Sequence, residues 1–413
     1  MISIMKRITL MALALGIAAC ATAQQNVVKD AQRAVKEGKN LNEVINILTP
    51  ALSNPETAGS SDTWMIPGKA AYDRFDKLIA NKQLHMFKNA QDTINQNMLL
   101  VPAYEYYMKA LAVDTVIDKK GKPKAKNSKK ILDTFVGHFN DYYTAGAELY
   151  NYQKYDDAYK AFDIMIKMAQ MPQLKKDLAK NPMAQDSILC GVAFNQGLAA
   201  WQVERLDDAI SSFLKAIELG YDKKSVFDYG MSVAQAAGKN DTLFIFAQKA
   251  LPIYGKEDSQ YIRQIINHYI TAKEFDKAFQ AINTAIEQDP TNSQFYVVKG
   301  IISEYSGDFD AATESYKKAF AINQEDGDAA YNYGRSLYEK ASRLSDAAPT
   351  TQAEYAVYLN EKIKPLINEA IPLLETAYQL NPDNKDILSY LEQAYYVLGD
   401  NKMYEDVQKR KKY

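Results

Sequence analysis

Cysteine, histidine and tryptophan are scarce in this 413-residue chain, with two, three and two copies. The two cysteines, Cys20 and Cys190, are too few for a disulfide framework. The histidines, His85, His138 and His268, stand apart, and none has a second His or Cys at the spacing of a metal site. The sequence also lacks a Gly-rich phosphate loop and a Gly-x-Ser-x-Gly nucleophile motif. These absences argue against the common classes of enzyme, so we expect no catalysis, no metal and no cofactor.

An excess of charge of one sign is also missing. The chain has 49 basic and 51 acidic residues, a formal net charge of −2, which gives no indication of a nucleic-acid partner. With only 18 Gly and 13 Pro, it is neither fibrous nor of low complexity, and 47% hydrophobic residues are ample for a core. The 29 tyrosines are the one unusual excess. Tyrosine suits both the seams between helices and wet binding grooves.

The N-terminus predicts export from a bacterial cell. Two basic residues precede an apolar run over residues 8–19, which is too short to span a bilayer. Two processing routes are open. Cleavage after Ala23 would make residues 1–23 a signal peptide and is the favoured route. The segment ending at Cys20 also resembles a lipobox, so Cys20 is a candidate lipidation site. We therefore expect a periplasmic protein, or alternatively an outer-membrane lipoprotein, with membrane contact only if Cys20 is lipidated.

Three triplets of the form small, bulky, small recur in one frame, with starting points 69 and 34 residues apart. They are Ala209/Phe213/Ala216, Ala278/Ile282/Ala285 and Ala312/Tyr316/Ala319. Positions i, i+4 and i+7 share one face of a helix, and small residues there let a neighbouring helix approach closely. The spacing predicts a stacked unit of about 34 residues.

The segment from Tyr261 to Pro290 reads as helix, turn, helix and proline stop, and the next copy turns at Gly307. On these residues the chain resembles the tetratricopeptide repeat family. The resemblance implies an all-α fold, a right-handed superhelical solenoid of antiparallel helix pairs. Seven or eight units cover most of the chain. In the copy that Gly230 opens, we expect about one extra residue in the second helix, residues 241–250.

Two copies are interrupted, one after Gly68 and one after Gly334, and we expect an extra helix over residues 352–363. The expected organisation is a signal peptide at 1–23, N-terminal repeats at 24–112 with the second one split, a Lys-rich loop at 113–130, central tandem repeats at 131–342, an insertion at 343–363, and a C-terminal repeat with a capping helix at 364–413.

The Lys-rich segment from Asp118 to Lys130 holds seven lysines, and Gly121 and Pro123 break any helix there. A solvated loop is the simpler interpretation. A patch for acidic partners or anionic lipid head groups is the alternative.

The resemblance also implies a concave groove lined by the first helix of each pair, at fixed steps around the repeat glycine. The positions that it nominates for partner binding are Met65, Tyr72, Tyr143, Tyr150, Phe194, Trp201, Arg263, Asn267, Tyr331, Arg335 and Tyr338. Arg263 and Asn267 match the first two positions of the family's carboxylate clamp, but Val298, Asp328 and Asn332 do not match the remainder. A receptor for chaperone tails is therefore not expected.

The function that follows is an exported scaffold or adaptor that binds protein or peptide partners. The alternative is a lipid-anchored subunit of an outer-membrane or envelope assembly complex. A glycan-binding protein or an enzyme that uses the insertions is the less favoured third hypothesis.

Overall fold

The computed structural model describes residues 24–412, so the predictions for the export signal and for Cys20 lie outside the described residues. The described chain is almost entirely α-helical, apart from one short two-stranded hairpin. It divides into two compact units, and the boundary along the chain lies between Ala237 and Gly238. None of the helices within residues 24–412 has both the length and the apolar content of a membrane span. The predicted all-α repeat fold is confirmed.

The first unit begins with α1, residues 24–36. Its further helices are α2 (Leu41–Leu52), α3 (Pro55–Ala58), α4 (Ser61–Gln83), α5 (Ala90–Asn97), α6 (Leu100–Ala112), α7 (Ser128–Asn151), α8 (Tyr155–Gln170), α9 (Lys175–Leu178), α10 (Asp186–Gln202), α11 (Leu206–Glu218) and α12 (Lys224–Ala236). Strands β1 (Val116–Ile117) and β2 (Pro123–Lys124) lie between α6 and α7, and a 3₁₀ turn (Pro182–Ala184) precedes α10.

The second unit consists of helices alone. They are α13 (Asn240–Tyr254), α14 (Gln260–Thr271), α15 (Phe275–Gln288), α16 (Ser293–Ser306), α17 (Phe309–Ile322), α18 (Gly327–Asp346), α19 (Gln352–Tyr358), α20 (Lys364–Leu380), α21 (Lys385–Leu398) and α22 (Asn401–Arg410). A π-helical turn (Leu359–Ile363) joins α19 to α20.

Each repeat is a first helix packed against a second helix. In the first unit the pairs are α1 with α2, α4 with α6, α7 with α8, and α10 with α11. In the second unit they are α14 with α15, α16 with α17, α18 with α20, and α21 with α22. The two helices of the remaining copy, α12 and α13, belong to different units. The boundary between the units thus falls inside the segment that the sequence presents as continuous tandem repeats.

The packed surface between the two helices of a pair, its seam, explains why small and bulky residues alternate in the triplets. All nine triplet residues are buried. In five repeats a glycine of the first helix faces the bulky residue of the second helix so closely that an added Cβ would lie 2.2 to 2.8 Å from it. The five pairs are Gly68 with Tyr107, Gly146 with Phe162, Gly197 with Phe213, Gly300 with Tyr316, and Gly334 with Leu374. The glycine therefore makes room for a large side chain, which fills the space between two turns.

In the uninterrupted repeats from α7 onward, the turn between the first and the second helix contains one residue with positive φ, two positions before the second helix begins. It is glycine in some repeats, for example Gly307 with φ +87°. In three others it is Gln153, Glu204 or Lys273, with φ near +58°. A left-handed residue closes a helix because its own N–H group and that of the next residue donate to carbonyl groups of the last helical turn. These three positions are turns that glycine spacing alone does not reveal.

The expected extra residue of the Gly230 copy lies in its first helix, so the prediction that placed it in the second helix was wrong. Eight positions separate Gly230 from the left-handed Gly238, whereas seven separate Gly197 from Glu204. After that turn the buried residues of α13 follow at the usual spacing. Those at the triplet positions are Leu243, Ala247 and Ala250, and Phe246 is also buried.

The insertions are helical. The first consists of a long α4 followed by α5, and the left-handed His85 (φ +55°) ends α4. In the second, α18 extends to Asp346, and α19 with the π-helical turn covers residues 352–363. The helix predicted there is confirmed, although it continues directly into α20. Ile363, the last residue of the π-helical turn, is buried and packs with Ala341 and Ala394, so the insertion extends the hydrophobic core.

Candidate functional site

The first helices of the first unit present aromatic side chains at a shared spacing. Tyr143 and Tyr150 lie seven residues apart on α7, as do Phe194 and Trp201 on α10, so each pair occupies one side of its helix. Tyr229 on α12 lies against both α10 residues, with ring centroids 6.1 Å from Phe194 and 5.6 Å from Trp201. We call these five residues the aromatic stripe.

The polar ends of the stripe are unpaired within the described chain. The hydroxyl groups of Tyr143, Tyr150 and Tyr229 and the indole N–H of Trp201 form no hydrogen bond with another described residue. All four side chains are partly or well exposed. Aromatic groups that combine an apolar ring with a free donor are typical of binding surfaces.

A cavity of about 540 Å³ lies at the Phe194 end of the stripe. Its lining includes Tyr143, Asn195, Tyr221 and Lys223. The ring of Tyr221 stacks on Phe194 with a centroid distance of 4.6 Å and an interplanar angle of 10°. Phe194 is itself only 9% exposed. It therefore forms the apolar floor of the cavity, with polar groups at the rim.

A second cavity, of about 530 Å³, lies beside Trp201. Gln202, Glu204, Leu206 and Ala236 complete its lining. Because Phe194 and Trp201 share one side of α10, the two cavities follow the same helix about two turns apart. That arrangement can hold two side chains of one bound segment.

The earliest groove residues of the prediction are not at the surface. Met65 is 8% exposed and Tyr72 is 3% exposed. The hydroxyl groups of Tyr72 and Tyr142 are 2.8 Å apart, and Tyr142 donates to the carbonyl oxygen of Leu100 at 3.0 Å. Burial raises the pKa of Tyr72 well above its ordinary value. Met65 and Tyr72 are therefore buried residues, and later segments of the chain cover Tyr72.

The inserted helix α5 covers part of this region, since it packs on both α4 and α7. Its buried Asn97 donates to Glu148 on α7 at 2.8 Å, and Lys82 on α4 donates to the same carboxylate at 2.6 Å. The first bond joins α5 to α7, and the second joins α4 to α7 through the same carboxylate. The inserted helix thus covers part of the surface that α4 and α7 share.

In the second unit, Arg335 is engaged with neighbouring carboxylates. Its guanidinium group donates to both oxygens of Glu304 at 2.8 and 2.9 Å and to Glu339 at 2.9 Å. The Arg335 side chain is 16% exposed. A partner would have to displace these bonds to reach the guanidinium group, so the geometry identifies Arg335 as a structural ion-pair residue.

The tyrosines beside it belong to the same region. Tyr338 donates to Gln393 at 2.9 Å, and its ring lies 5.5 Å from that of Tyr390. Tyr331 lies 6.2 Å from the same ring. Both predicted residues are half-buried. Arg263 and Asn267, one turn apart on α14, are exposed, and their groove role stays a prediction.

Two of the three histidines and Cys190 pack against neighbouring side chains or backbone. His138 stacks on Tyr72 with ring centroids 4.6 Å apart, and His268 stacks on Phe244 at 3.9 Å. Cys190 is buried, and its thiol lies 3.3 Å from the carbonyl oxygen of Ser187. Among residues 24–412, no group of three or more His, Cys, Asp or Glu side chains could hold a metal ion.

Sequence reasoning missed Tyr221 and Tyr229. Tyr221 lies in the turn after α11, which the repeat pattern does not mark as a contact position. Tyr229 lies one residue before Gly230, outside the steps used to nominate groove residues. The large number of tyrosines in the sequence was the only indication of these two contacts, and a composition does not identify individual positions.

Three solved bacterial structures are similar to this chain. The C-terminal part of a tetratricopeptide repeat protein from Cytophaga hutchinsonii is 14% identical, with 65% of this chain and 93% of that one covered and a TM-score of 0.39. A tetratricopeptide repeat protein from Bacteroides fragilis is 16% identical, with 62% and 98% covered and a TM-score of 0.35. PilF from Pseudomonas aeruginosa is 15% identical, with 54% and 90% covered and a TM-score of 0.37. These likenesses are too low to support an assignment by themselves.

No curated protein matches the chain significantly. Residues 297–357, from α16 into α19, match the sequence model of the tetratricopeptide repeat family. Outside that segment, helix pairs recur in both units, and three pairs of the first unit share the glycine-aromatic seam. The chain therefore contains tetratricopeptide repeats in the matched segment, and helix pairs of the same kind extend through the described residues.

Proposed function

We propose that this protein is a scaffold that binds a peptide or protein segment along the aromatic stripe of its first unit. Tetratricopeptide repeat proteins generally bind protein partners. The observation that carries the proposal is that the polar groups of four stripe residues are unpaired and that two of the four, Tyr143 and Trp201, line the two cavities. The proposal involves no chemical turnover.

The physical case rests on what such a surface can recognise. Rigid aromatic rings contribute large apolar contact at a low cost in side-chain entropy, and their free donors select backbone carbonyl groups. Two cavities on one side of α10 suit apolar side chains that lie about 10 Å apart along a bound segment. An extended peptide or the apolar face of a helix meets that requirement.

The test begins with a peptide-display selection against the full chain, followed by calorimetric titration of the selected peptides. We expect Trp201→Ala and Tyr229→Ala to weaken binding about 30-fold or more, as for an interface hot spot. Tyr396→Ala is the matched control, because Tyr396 is 75% exposed in the second unit. Circular dichroism establishes that each variant is folded.

Selected peptides that bind all three variants with wild-type affinity would contradict the proposal. Peptides that lose affinity only with variants in the second unit, such as Tyr338→Ala, would place the site there instead. Binding that depends on Trp201 but not on Tyr229 would confine it to the Trp201 cavity.

We also propose that the protein works outside the cytoplasm, in the periplasm. The support is the basic and apolar character of residues 6–19 and the cleavage pattern that ends at Ala23. Mass spectrometry of the native N-terminus tests this. A terminus at Gln24 supports the periplasmic form, an acylated Cys20 supports the lipid-anchored alternative, and an intact Met1 contradicts export.

A further inference from the structure

The Lys-rich segment folds as a small hairpin. Val116 pairs with Lys124 and Ile117 with Pro123, and the N–H of Asp118 donates to the carbonyl of Lys122 at 2.8 Å. Residues directly opposite each other in an antiparallel pair share one face. Ile117 and Pro123 therefore form an apolar face, while Lys124 lies on the other.

The tip of the hairpin is ordered by Asp118. Its carboxylate accepts the backbone N–H groups of Lys120 and Lys122 at 2.8 and 2.9 Å. The turn closes at Gly121, whose φ is +75°. Because these bonds are made by the backbone, the side chains of Lys119 and Lys120 remain exposed.

The base of the hairpin is fastened to the first unit. Asp114 accepts the N–H groups of Lys126, Asn127 and Ser128 at 3.0, 2.8 and 2.6 Å. Asn127 in turn donates to Asp62 at the start of α4 at 2.9 Å. The hairpin therefore projects from fixed attachment points at α4 and α7.

The exposed charges of this segment are almost all positive. Asp118 is the only acidic residue between positions 115 and 130, and its carboxylate accepts hydrogen bonds from backbone N–H groups. Lys126 pairs with Asp62. The other six lysines make no ion pair with a described residue, and all are exposed. They are Lys119, Lys120, Lys122, Lys124, Lys129 and Lys130.

We propose that this hairpin, residues 116–124, docks on an anionic lipid surface. The lysines are attracted to the surface charge, while Ile117, which is 67% exposed, and Pro123 enter the head-group region. An acidic protein is the less favoured partner because the segment has no arginine. Arginine forms the bidentate bonds that suit discrete carboxylates, whereas lysine acts as a point charge and suits a continuous layer of charge.

The experiment measures cosedimentation of the full chain, as its host processes it, with phosphatidylcholine vesicles that do or do not contain one third phosphatidylglycerol. We expect the double variant Lys119→Gln/Lys120→Gln to reduce partitioning onto the anionic vesicles by about 30-fold. Raising salt from about 0.05 to 0.5 M should remove most of the difference between the two vesicles. The matched control, Lys175→Gln/Lys176→Gln, removes two adjacent exposed lysines from α9.

The variant Ile117→Ser keeps the charge of the hairpin and distinguishes an anionic lipid surface from an acidic protein as the partner. Weaker binding of this variant to the anionic vesicles supports insertion of the apolar face. Equal binding of the wild type and the 119/120 variant, or equal loss in the 175/176 control, would overturn the proposal. Binding to polyglutamate but not to anionic vesicles would overturn it in favour of an acidic protein. Any membrane binding by residues 8–19 or Cys20 is common to all variants and cancels in the comparison.

Discussion

Gly197 of α10 lies directly against the ring of Phe213 on α11. A Cβ on Gly197 would come within 2.6 Å of the Phe213 Cε1 atom, which is closer than packed carbon atoms allow. Phe213 is fully buried and has small neighbours, Ala209 and Ala216, one turn away on either side. The spacing between the two helices of this repeat is therefore set by one absent and one large side chain.

The first prediction follows from this contact. We expect Gly197→Ala to lower the free energy of unfolding by about 1–3 kcal/mol, because the new methyl group overpacks the seam. Gly191→Ala on the same helix is the control, since a Cβ there meets nothing within 4 Å. Alanine favours a helix interior, so that variant should be stabilised by up to about 1 kcal/mol. Urea unfolding measures both, and equal stability of the two variants would contradict the seam geometry.

The second prediction concerns the left-handed turn at Lys273, whose φ is +58°. A side chain in this conformation costs about 1 kcal/mol relative to glycine. We expect Lys273→Gly to raise the free energy of unfolding by about 0.5–1 kcal/mol. The reverse change at the equivalent turn, Gly307→Lys, should lower it by a similar amount. Thermal unfolding of both tests the turn, and a lowered melting temperature for Lys273→Gly would count against it.

The third prediction concerns the ion pair of Arg335 with Glu304. Methionine at position 335 leaves two poorly exposed carboxylates, Glu304 and Glu339, without their shared cation. We expect Arg335→Met to lower the free energy of unfolding by about 3 kcal/mol. Arg263→Met, at an exposed position, should change it by less than about 0.5 kcal/mol. Adding Glu304→Met to Arg335→Met should recover part of the loss, and failure to do so would mean that the pair is not coupled.

The fourth prediction is a pH dependence at the base of the hairpin. Burial alone would raise the pKa of Asp114, but hydrogen bonds from Ser128 and from the N–H of Asn127 outweigh it and hold the pKa below its ordinary value. A lowered folded-state pKa stabilises the protein above the unfolded pKa of about 3.9, and this contribution is lost as the pH falls through the folded-state pKa.

Asp114→Asn should therefore lower the free energy of unfolding by about 1–3 kcal/mol at neutral pH, with a smaller difference from wild type at acid pH. Urea unfolding at about pH 7 and pH 3 measures it. The exposed Asp177→Asn is the control for general acid effects. A stability difference between Asp114→Asn and wild type that grows toward acid pH would contradict the prediction.

In one repeat, two side chains of medium size replace the glycine and the aromatic residue of the seam. Counted back from its left-handed residue, α14 has Ile266 where Gly197 stands in α10, and the facing bulky position holds Ile282 in place of an aromatic residue. Both isoleucines are buried. Two medium side chains thus fill the space that glycine and phenylalanine fill elsewhere. The triplet alone predicted this repeat correctly, because its frame is set by small residues on both sides of the bulky one.

Where the predictions were wrong or incomplete, the cause was tertiary. Met65 and Tyr72 match the groove pattern, yet both are buried, and the hydroxyl of Tyr142 lies against that of Tyr72. Arg335 fits the same pattern, yet its charge is taken up by Glu304, 31 positions earlier. Long-range contacts of this kind leave no periodic trace in the sequence.

The sequence pattern predicts the helix pairs and their seams, because the 3.6-residue period and the close approach of helices restrict which residues can stand at each buried position. The tertiary structure decided which aromatic residues stay at the surface, which charges are paired, and that the Lys-rich segment is a fastened hairpin. Those properties depend on residues far apart in the chain that meet only after the helices pack, and each is set by the burial and hydrogen bonding of the completed fold.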